Sequence, residues 1–589
     1  MEHYIKTRGE LDSALELIKD SPEYMVDCET NGLYPLINDI LLLQVGTKEH
    51  QLVIDYHYFK KEELQSVRDV IGDSIILGHN IKFDLKFLLQ KLGWEFETVY
   101  DTMIADKLIY AGYPMYYRFS LKDVLKRHLK IVVDKDTRKE FIDAPVGAGF
   151  SSEAITYSAK DVEHLSDVRE RQLKLINRLK LNIVTELEMA TLPPLARVEL
   201  RGFKIDVEGW KELIAEGKKE SLDLEKTLNS MAKQDINWNS PKQVVAIINH
   251  LYPEAKIDSS NAETLEKHSH LPLVDTLRRF RKHSKFLSSF GDKLLEKLPD
   301  GRLRTHYGLV ATGRMSSSDP NIQQMPSTEA VRSKFIADYG YDLITADYGS
   351  QELVILASNS KEPAWIEALK TGQDLHSISA SMLYRTRWTD AEEEGCEFKS
   401  KGKKCACEKH KEMRNSAKAI SFSLAYGAGS FALSKNLGIT EMEAENLMED
   451  FFAALPNVHD YLEDAGRFAN DYAYSVTNKP IERRRFYPFF GGLSYGAINR
   501  RGKNSVIQGT ASDQTKLALI NIDRRIREEN WDAHILAIVH DEIVSEAAED
   551  ISKEFAVEVV KKEMELAGKW TLKNNLLKTE PSIGKVWKK

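Results

Sequence analysis

A chain of 589 residues with 42% hydrophobic and 29% charged residues has room for several domains and the composition of a globular protein. No apolar run approaches a membrane span, and the start Met1-Glu2-His3-Tyr4-Ile5-Lys6 lacks a secretory apolar core. Four cysteines cannot make a disulfide framework at this length, so a membrane or disulfide-built secreted protein is disfavoured and a cytoplasmic one expected.

From the N-terminus, apolar runs such as Leu41-Leu42-Leu43-Gln44-Val45 and Ser74-Ile75-Ile76-Leu77 alternate with helical patterns, which predicts an α/β domain over residues 1–175. In Tyr24-Met25-Val26-Asp27-Cys28-Glu29, strand alternation puts Asp27 and Glu29 on one face, where they can hold a metal together. His79-Asn80 and Asp84 follow, and Tyr157 and Asp161 stand one helical turn apart. Four carboxylates and a tyrosine suit a two-metal hydrolysis in which the tyrosine orients the attacking water.

Between Leu277 and Arg304 nine Lys or Arg residues face three acids, and further basic clusters occur at Arg483-Arg484-Arg485 and at Arg500-Arg501 with Lys503. Such patches can neutralise phosphates although the net charge is -8. Leu343-Ile344-Thr345-Ala346 leads into Asp347, and Ile535-Leu536-Ala537-Ile538-Val539 into His540-Asp541-Glu542. Two aspartates presented at strand ends can share two divalent cations, the arrangement for in-line phosphoryl transfer. Between them Arg414, Lys418, Phe422 and Tyr426 recur every fourth residue, a stripe roughly 18 Å long on a helix. Its cationic end suits phosphates and its aromatic end a base and sugar, and Gly427 and Gly429 then end the helix.

These segments resemble family A DNA polymerases, the bacterial DNA polymerase I type. Asp347-Tyr348-Gly349-Ser350-Gln351-Glu352-Leu353 is similar to that family's motif A, Arg414 to Gly427 to motif B, and Val539-His540-Asp541-Glu542 to motif C. Thr312-Gly313-Arg314 through Gln323 resembles the stretch between thumb and palm, and the N-terminal acids resemble the family's proofreading exonuclease. The resemblance implies a multidomain α/β and α+β chain: a ribonuclease-H-like 3′–5′ exonuclease domain (1–175), then a right-hand polymerase domain (176–589). Within the latter the thumb spans about 205–300, the palm about 301–360 and 505–589, and the fingers about 361–504.

The same resemblance assigns roles. Asp347 and Asp541 would ligate two Mg²⁺ or Mn²⁺ ions, and Asp27, Glu29, Asp84 and Asp161, with Tyr157, would form the second two-metal site. Arg414 and Lys418 would hold the triphosphate, with Lys418 the proton donor to the leaving pyrophosphate. Phe422 would pack on the incoming sugar, Tyr426 would sit by the templating base, and Glu352 would close the space below the sugar 2′ position. Arg500, Asn504, Gln508 and His540 would line the primer terminus and minor groove, with Arg314 and His376 as further primer and nucleotide contacts. The implied partners are primer-template DNA, deoxynucleoside triphosphates and replication accessory proteins, with the chain a monomer away from membranes. The chain begins too close to Asp27 for a preceding 5′ nuclease, a compact layout that suggests phage genome replication in a host cytoplasm.

Motif A here reads Asp-Tyr-Gly-Ser-Gln-Glu where the family usually has Asp-Tyr-Ser-Gln-Ile-Glu, and Val354 stands where an arginine is common. The spacing from Asp347 to Glu352 is kept. The segment before Arg414 is longer than usual and contains Cys396, Cys405, Cys407 and His410. Three thiols and an imidazole could hold a tetrahedral zinc, but Cys-x8-Cys-x-Cys-x2-His is an unfamiliar spacing with a Cys-x-Cys pair tight for one ion. That argument favours a charged insertion with free thiols. Two other readings stay open: a 3′–5′ exonuclease or a primer-template binding protein with a degenerate polymerase domain, and a single-subunit RNA polymerase, which Glu352 and Phe422 oppose.

Overall fold

The computed structural model describes residues 1–132, 139–405, 407–425, 427 and 429–588, without the side chains of Ser400, Lys401, Phe422, Leu424 and Ala425. The N-terminal sheet is formed by β1 (Glu2–Ile5), β2 (Glu23–Thr30), β3 (Ile40–Gly46), β4 (Gln51–Asp55), β5 (Ile75–Gly78) and β6 (Val99–Asp101), in the order β1-β4-β3-β2-β5-β6. β2 runs antiparallel to β3 and parallel to β5, so it is the central strand, buried by neighbours on either side. This mixed sheet with helices is the expected α/β domain. Its core includes Leu187, Met189, Leu192 and Ala196 of the helix Asn182–Arg201, which joins the two halves of the chain.

Beyond that helix and the short strand Phe203–Lys204, which pairs with Arg302–Leu303, the chain is helical to Leu295, built on the pair Val207–Ala232 and Pro272–Phe290 around Trp238, Leu273 and Phe280. The second main sheet comprises β7 (Tyr341–Asp347), β8 (Ala533–Val539), β9 (Glu542–Ala548) and β10 (Ser582–Gly584), in the order β8-β9-β7-β10 with every pairing antiparallel. Alternation puts Ile344, Ala346, Ile538 and Ile543 into one core with Leu519 and Ile522 of the 34-residue helix Tyr495–Glu528.

The segment between β7 and the long helix is mainly helical, with Trp365, Ile420, Phe451 and Leu462 in its core and one short antiparallel pair, Tyr474–Val476 with Arg484–Phe486. Local chemistry starts these helices. Pro363 and Pro456 occupy first-turn positions, where no N–H is needed. Asp374 caps the helix Leu375–Tyr384 by accepting from the Ser377 N–H at 2.8 Å.

Candidate active sites

In the N-terminal domain β2 carries Asp27 and Glu29 to one edge of a cleft that also receives Asp84, Tyr157 and Asp161. Asp84 rides on the short helix Lys82–Phe87. The loop before that helix is clamped by the Asp101 carboxylate, which accepts from the backbone N–H groups of Asn80 (3.1 Å) and Ile81 (3.0 Å). Tyr157 and Asp161 lie on the helix Ser152–Glu163, capped by Ser151. Ligand oxygens of Asp27, Glu29 and Asp161 all come within 4.8 Å of one another.

Asp84 is buried and accepts the Cys28 N–H at 3.0 Å. Burial, reinforced by the Asp27 charge, pushes its carboxyl well above the usual range. Such crowding of acids is relieved by a bound cation, and an all-oxygen donor set fits a hard divalent ion. Leu33, Phe83 and Lys122 also line the cleft.

The second site sits where β7 ends beside the tip of the β8–β9 hairpin. Asp347 is the last residue of β7 and pairs with Glu542 of β9, while His540 and Asp541 form the two-residue turn closed by the Val539–Glu542 pair. His540 takes the positive φ of 61° that this turn needs. Register therefore sets Asp347 next to Asp541 across the sheet edge. Both line a cleft of about 420 Å³ with Arg314, Glu352, His376, Lys418 and His540. The carboxylate pair again fits a hard divalent cation.

Several supports hold this edge. Thr579 donates to the Asp347 carbonyl at 2.6 Å, and the Tyr307 hydroxyl exchanges hydrogen bonds with both backbone groups of Ile538. Arg314 forms an ion pair with Glu352. Glu542, next to the metal-binding candidate Asp541, is buried and accepts from the Trp587 indole at 2.8 Å. The αL turn at Ser350 (φ 54°) precedes the helix carrying Glu352, and Val354 is buried in the core behind it.

Arg414 and Lys418 lie one turn apart on the helix Glu408–Ala425. Lys418 reaches the cleft, whereas Arg414 makes a two-pronged ion pair with Asp374 at 2.7 and 2.8 Å. Despite the burial that opposes ionisation, this pairing holds the Asp374 carboxyl down at about 2. Burial, with the Arg414 and Lys418 charges, likewise lowers His376 to about 4. Tyr426 and the Phe422 side chain lie outside the described residues. Arg500 and Asn504 line a different cleft with Gly427, Gly429 and Phe431, and Gln508 is buried farther along the same helix. There the two helices approach closely: a Cβ at Gly427 (φ 67°) would stand 2.6 Å from the Arg500 carbonyl oxygen.

Two basic clusters need correction as phosphate contacts. Arg483 is no phosphate contact: it is buried between Glu188 and Asp513, with Nε donating to Asp513 at 2.8 Å. In the Leu277–Arg304 cluster, Arg281 bonds the Trp238 carbonyl and Arg302 pairs with Asp338, leaving Arg279, Lys282, Lys285 and Lys293 exposed. The inserted cysteines also depart from the spacing argument, because the ligand atoms of Cys396, Cys405, Cys407 and His410 converge within 4.8 Å of one another. Asp374, Asp101 and Thr579 were missed by sequence reasoning; Asp374 and Asp101 each stand directly before a helix, Leu375–Tyr384 and Thr102–Ile109, where an aspartate is a capping signal.

Among the described residues no helix is long and apolar enough to cross a membrane. The family model described as DNA polymerase family A matches residues 207–589, and that described as 3′–5′ exonuclease matches residues 3–177. DNA polymerase I of Aquifex aeolicus is 29% identical over 624 aligned positions, covering 100% of this chain and 99% of the relative. DNA polymerase I of Caldicellulosiruptor bescii is 30% identical and that of Pseudomonas aeruginosa 31%. They match 69% and 67% of this chain, but the matches span only 48% and 44% of those longer proteins. Among solved structures, the POL domain of Pol1 from M. smegmatis, in complex with DNA primer-template and dNTP, superimposes with a TM-score of 0.83. It is 26% identical, covering 100% of this chain and 99% of that one. The chain thus belongs to DNA polymerase family A, with a 3′–5′ exonuclease domain ahead of the polymerase domain.

Proposed function

We propose that this chain extends a primer 3′ end on a DNA template with deoxynucleoside triphosphates, and shortens mispaired ends in its separate N-terminal cleft. The observation that carries this reading is the convergence of Asp347, Asp541, Glu352, Lys418, His376 and Arg314 on one cleft, with a second acid cluster at Asp27, Glu29, Asp84 and Asp161. Divalent ions, Mg²⁺ or Mn²⁺, held by these two sets of carboxylates would activate the attacking oxygen and stabilise the leaving one.

The side chains supply the rest. Lys418 is placed to neutralise triphosphate oxygens and to protonate the departing pyrophosphate. Arg414, presented on the same face one turn earlier, adds a planar donor to the phosphates. Glu352, fixed by Arg314, fills the space below the nucleotide sugar and excludes a 2′-hydroxyl. Phe422 and Tyr426 continue that helix face towards base and template. His376 stays neutral near pH 7, so it can accept as well as donate. Arg500, Asn504, Gln508 and His540 track the primer-template minor groove, and the exposed Arg279, Lys282, Lys285 and Lys293 meet the duplex phosphates.

In the N-terminal cleft Tyr157 orients water towards the terminal phosphodiester, while Leu33 and Phe83 offer apolar faces to the unpaired base. The division into thumb (about 205–300), palm (about 301–360 and 505–589) and fingers (about 361–504) accords with the helical, sheet-bearing and helical segments. The test is a labelled primer-template with Mg²⁺. Extension with all four deoxynucleotides and shortening without them are expected. A chain that shortens the primer but never extends it contradicts the polymerase assignment.

A further inference from the structure

Ahead of the Arg414–Lys418 helix face, the chain folds back so that Cys396, Cys405 and Cys407 surround one ring nitrogen of His410. His410 Nδ1 lies 3.1 Å from Cys405 Sγ and 3.7 Å from Cys396 Sγ, and the four ligand atoms all fall within 4.8 Å of one another. A tetrahedral zinc with ordinary Zn–S and Zn–N bonds requires sulfur-to-nitrogen separations of about 3.6 Å and sulfur-to-sulfur separations of about 3.8 Å. The two sulfur-to-nitrogen separations lie either side of the first value, and the 4.8 Å limit on all four atoms admits the second.

The surroundings suit a ligating imidazole. His410 Nε2 sits 2.7 Å from the Trp388 carbonyl, which can only accept, so Nε2 carries the hydrogen and the Nδ1 lone pair is aimed at the sulfurs. A second-sphere carbonyl fixing the tautomer of a ligating imidazole is the usual support of such a site. The His410 ring is further locked by stacking on Trp388, with centroids 3.9 Å apart and planes at 9°. The backbone N–H groups of Phe398 and Lys399 point to Cys396 sulfur, and that of Cys407 to Cys405 sulfur. All four side chains are buried, at 8% exposure or less, and no disulfide joins the cysteines. Cys28, the remaining cysteine, belongs to the distant β2.

We propose that Cys396, Cys405, Cys407 and His410 bind one structural zinc ion that fixes the N-terminal end of the helix carrying Arg414 and Lys418. His410 lies in the first turn of that helix, four residues before Arg414. The same loop makes a second attachment: the Asp374 N–H donates to the Gly402 carbonyl at 2.9 Å, and Asp374 is the partner of Arg414. Metal at the base thereby holds both members of the Asp374–Arg414 pair. The site stands on its own geometry, while its effect on nucleotide binding rests on the polymerase reading.

Elemental analysis of the full-length chain, purified without added metal, should give one zinc per chain. After removal of zinc with a chelator, added Co²⁺ should produce the visible absorption of a tetrahedral site and a thiolate-to-cobalt band, both lost in Cys405→Ser and Cys407→Ser. Mg²⁺-dependent primer shortening by the same samples reports that the N-terminal domain stays folded. Zinc-depleted protein should show a several-fold higher KM for deoxynucleotides than after zinc is restored. Absence of zinc together with no cobalt spectrum, leaving a thiolate–imidazolium cluster, overturns the site, as does zinc content undiminished in both serine variants. One zinc with an unchanged KM overturns the positioning role, and one zinc in a chain that never extends primers leaves the site intact while contradicting the polymerase reading.

Discussion

Under the proposed function, single side chains decide selectivity at the β7 edge. Glu352 is held by Arg314 rather than by solvent, so its carboxylate is a fixed wall. Glu352→Ala should lower discrimination against ribonucleotides by about tenfold or more, equivalent to roughly 1.4 kcal/mol, measured as the ratio of kcat/KM for deoxy- and ribonucleotides. An unchanged ratio would mean that another group excludes ribose. His376 gives a pH signature. Its imidazole is lowered from 6.5 to about 4, so the unfolded chain binds the proton more readily across that window. Stability contributed by the neutral ring is present above pH 6.5 and lost as pH falls to 4, by up to about 3 kcal/mol. His376→Gln should flatten this part of the stability curve, as read by calorimetry from pH 7 to 4; an identical slope would refute the assignment.

Elements show what the sequence conveyed and what it hid. β7, β8 and the Glu408–Ala425 helix were legible because apolar runs and a four-residue repeat are local signals, and Asp347, Asp541 and Lys418 sit where those signals predict, whereas the return strand β9 was not read. The Arg483-Arg484-Arg485 cluster misled because a run of arginines carries no record of its partners. Glu188, which neutralises Arg483, lies 295 residues earlier. The Cys-x8-Cys-x-Cys-x2-His spacing likewise gave no sign that the four side chains converge, since convergence depends on the Trp388 platform and the turn before the helix. The Glu188–Arg483–Asp513–Lys516 cluster joins the connecting helix to the long helix, and burial keeps Lys516 down at about 8. Arg483→Met should destabilise the protein by about 3–5 kcal/mol by leaving two buried carboxylates with one lysine. It should leave the affinity for duplex DNA, measured with folded protein, nearly unchanged. A large loss of affinity at unchanged stability would restore the phosphate-contact reading.

Across the whole molecule the two clefts share a continuous support. Lys82 and Lys86, on the helix that carries Asp84, both pair with Glu199 of the connecting helix. Glu199 also accepts the Tyr307 N–H at 2.7 Å, and the Tyr307 hydroxyl grips Ile538 in β8, two residues before the hairpin tip. Leu33, Asn80 and Phe83 border both the N-terminal cleft and a middle cavity, and Met315 borders that cavity and the β7 cleft. Glu199→Gln, which strands two buried ammonium groups, should therefore shorten the thermal half-lives of both activities together. Loss of one with the other unaffected would show that the halves are held independently.

The central claim is that one chain carries two separate metal-dependent sites with opposite effects on a primer end. The most direct measurement compares wild type, Asp541→Ala and Asp27→Ala on one labelled primer-template with Mg²⁺, with and without deoxynucleotides. Extension should vanish only in Asp541→Ala, and shortening only in Asp27→Ala. Loss of both activities in either variant, or persistence of extension without Asp541, would contradict the account.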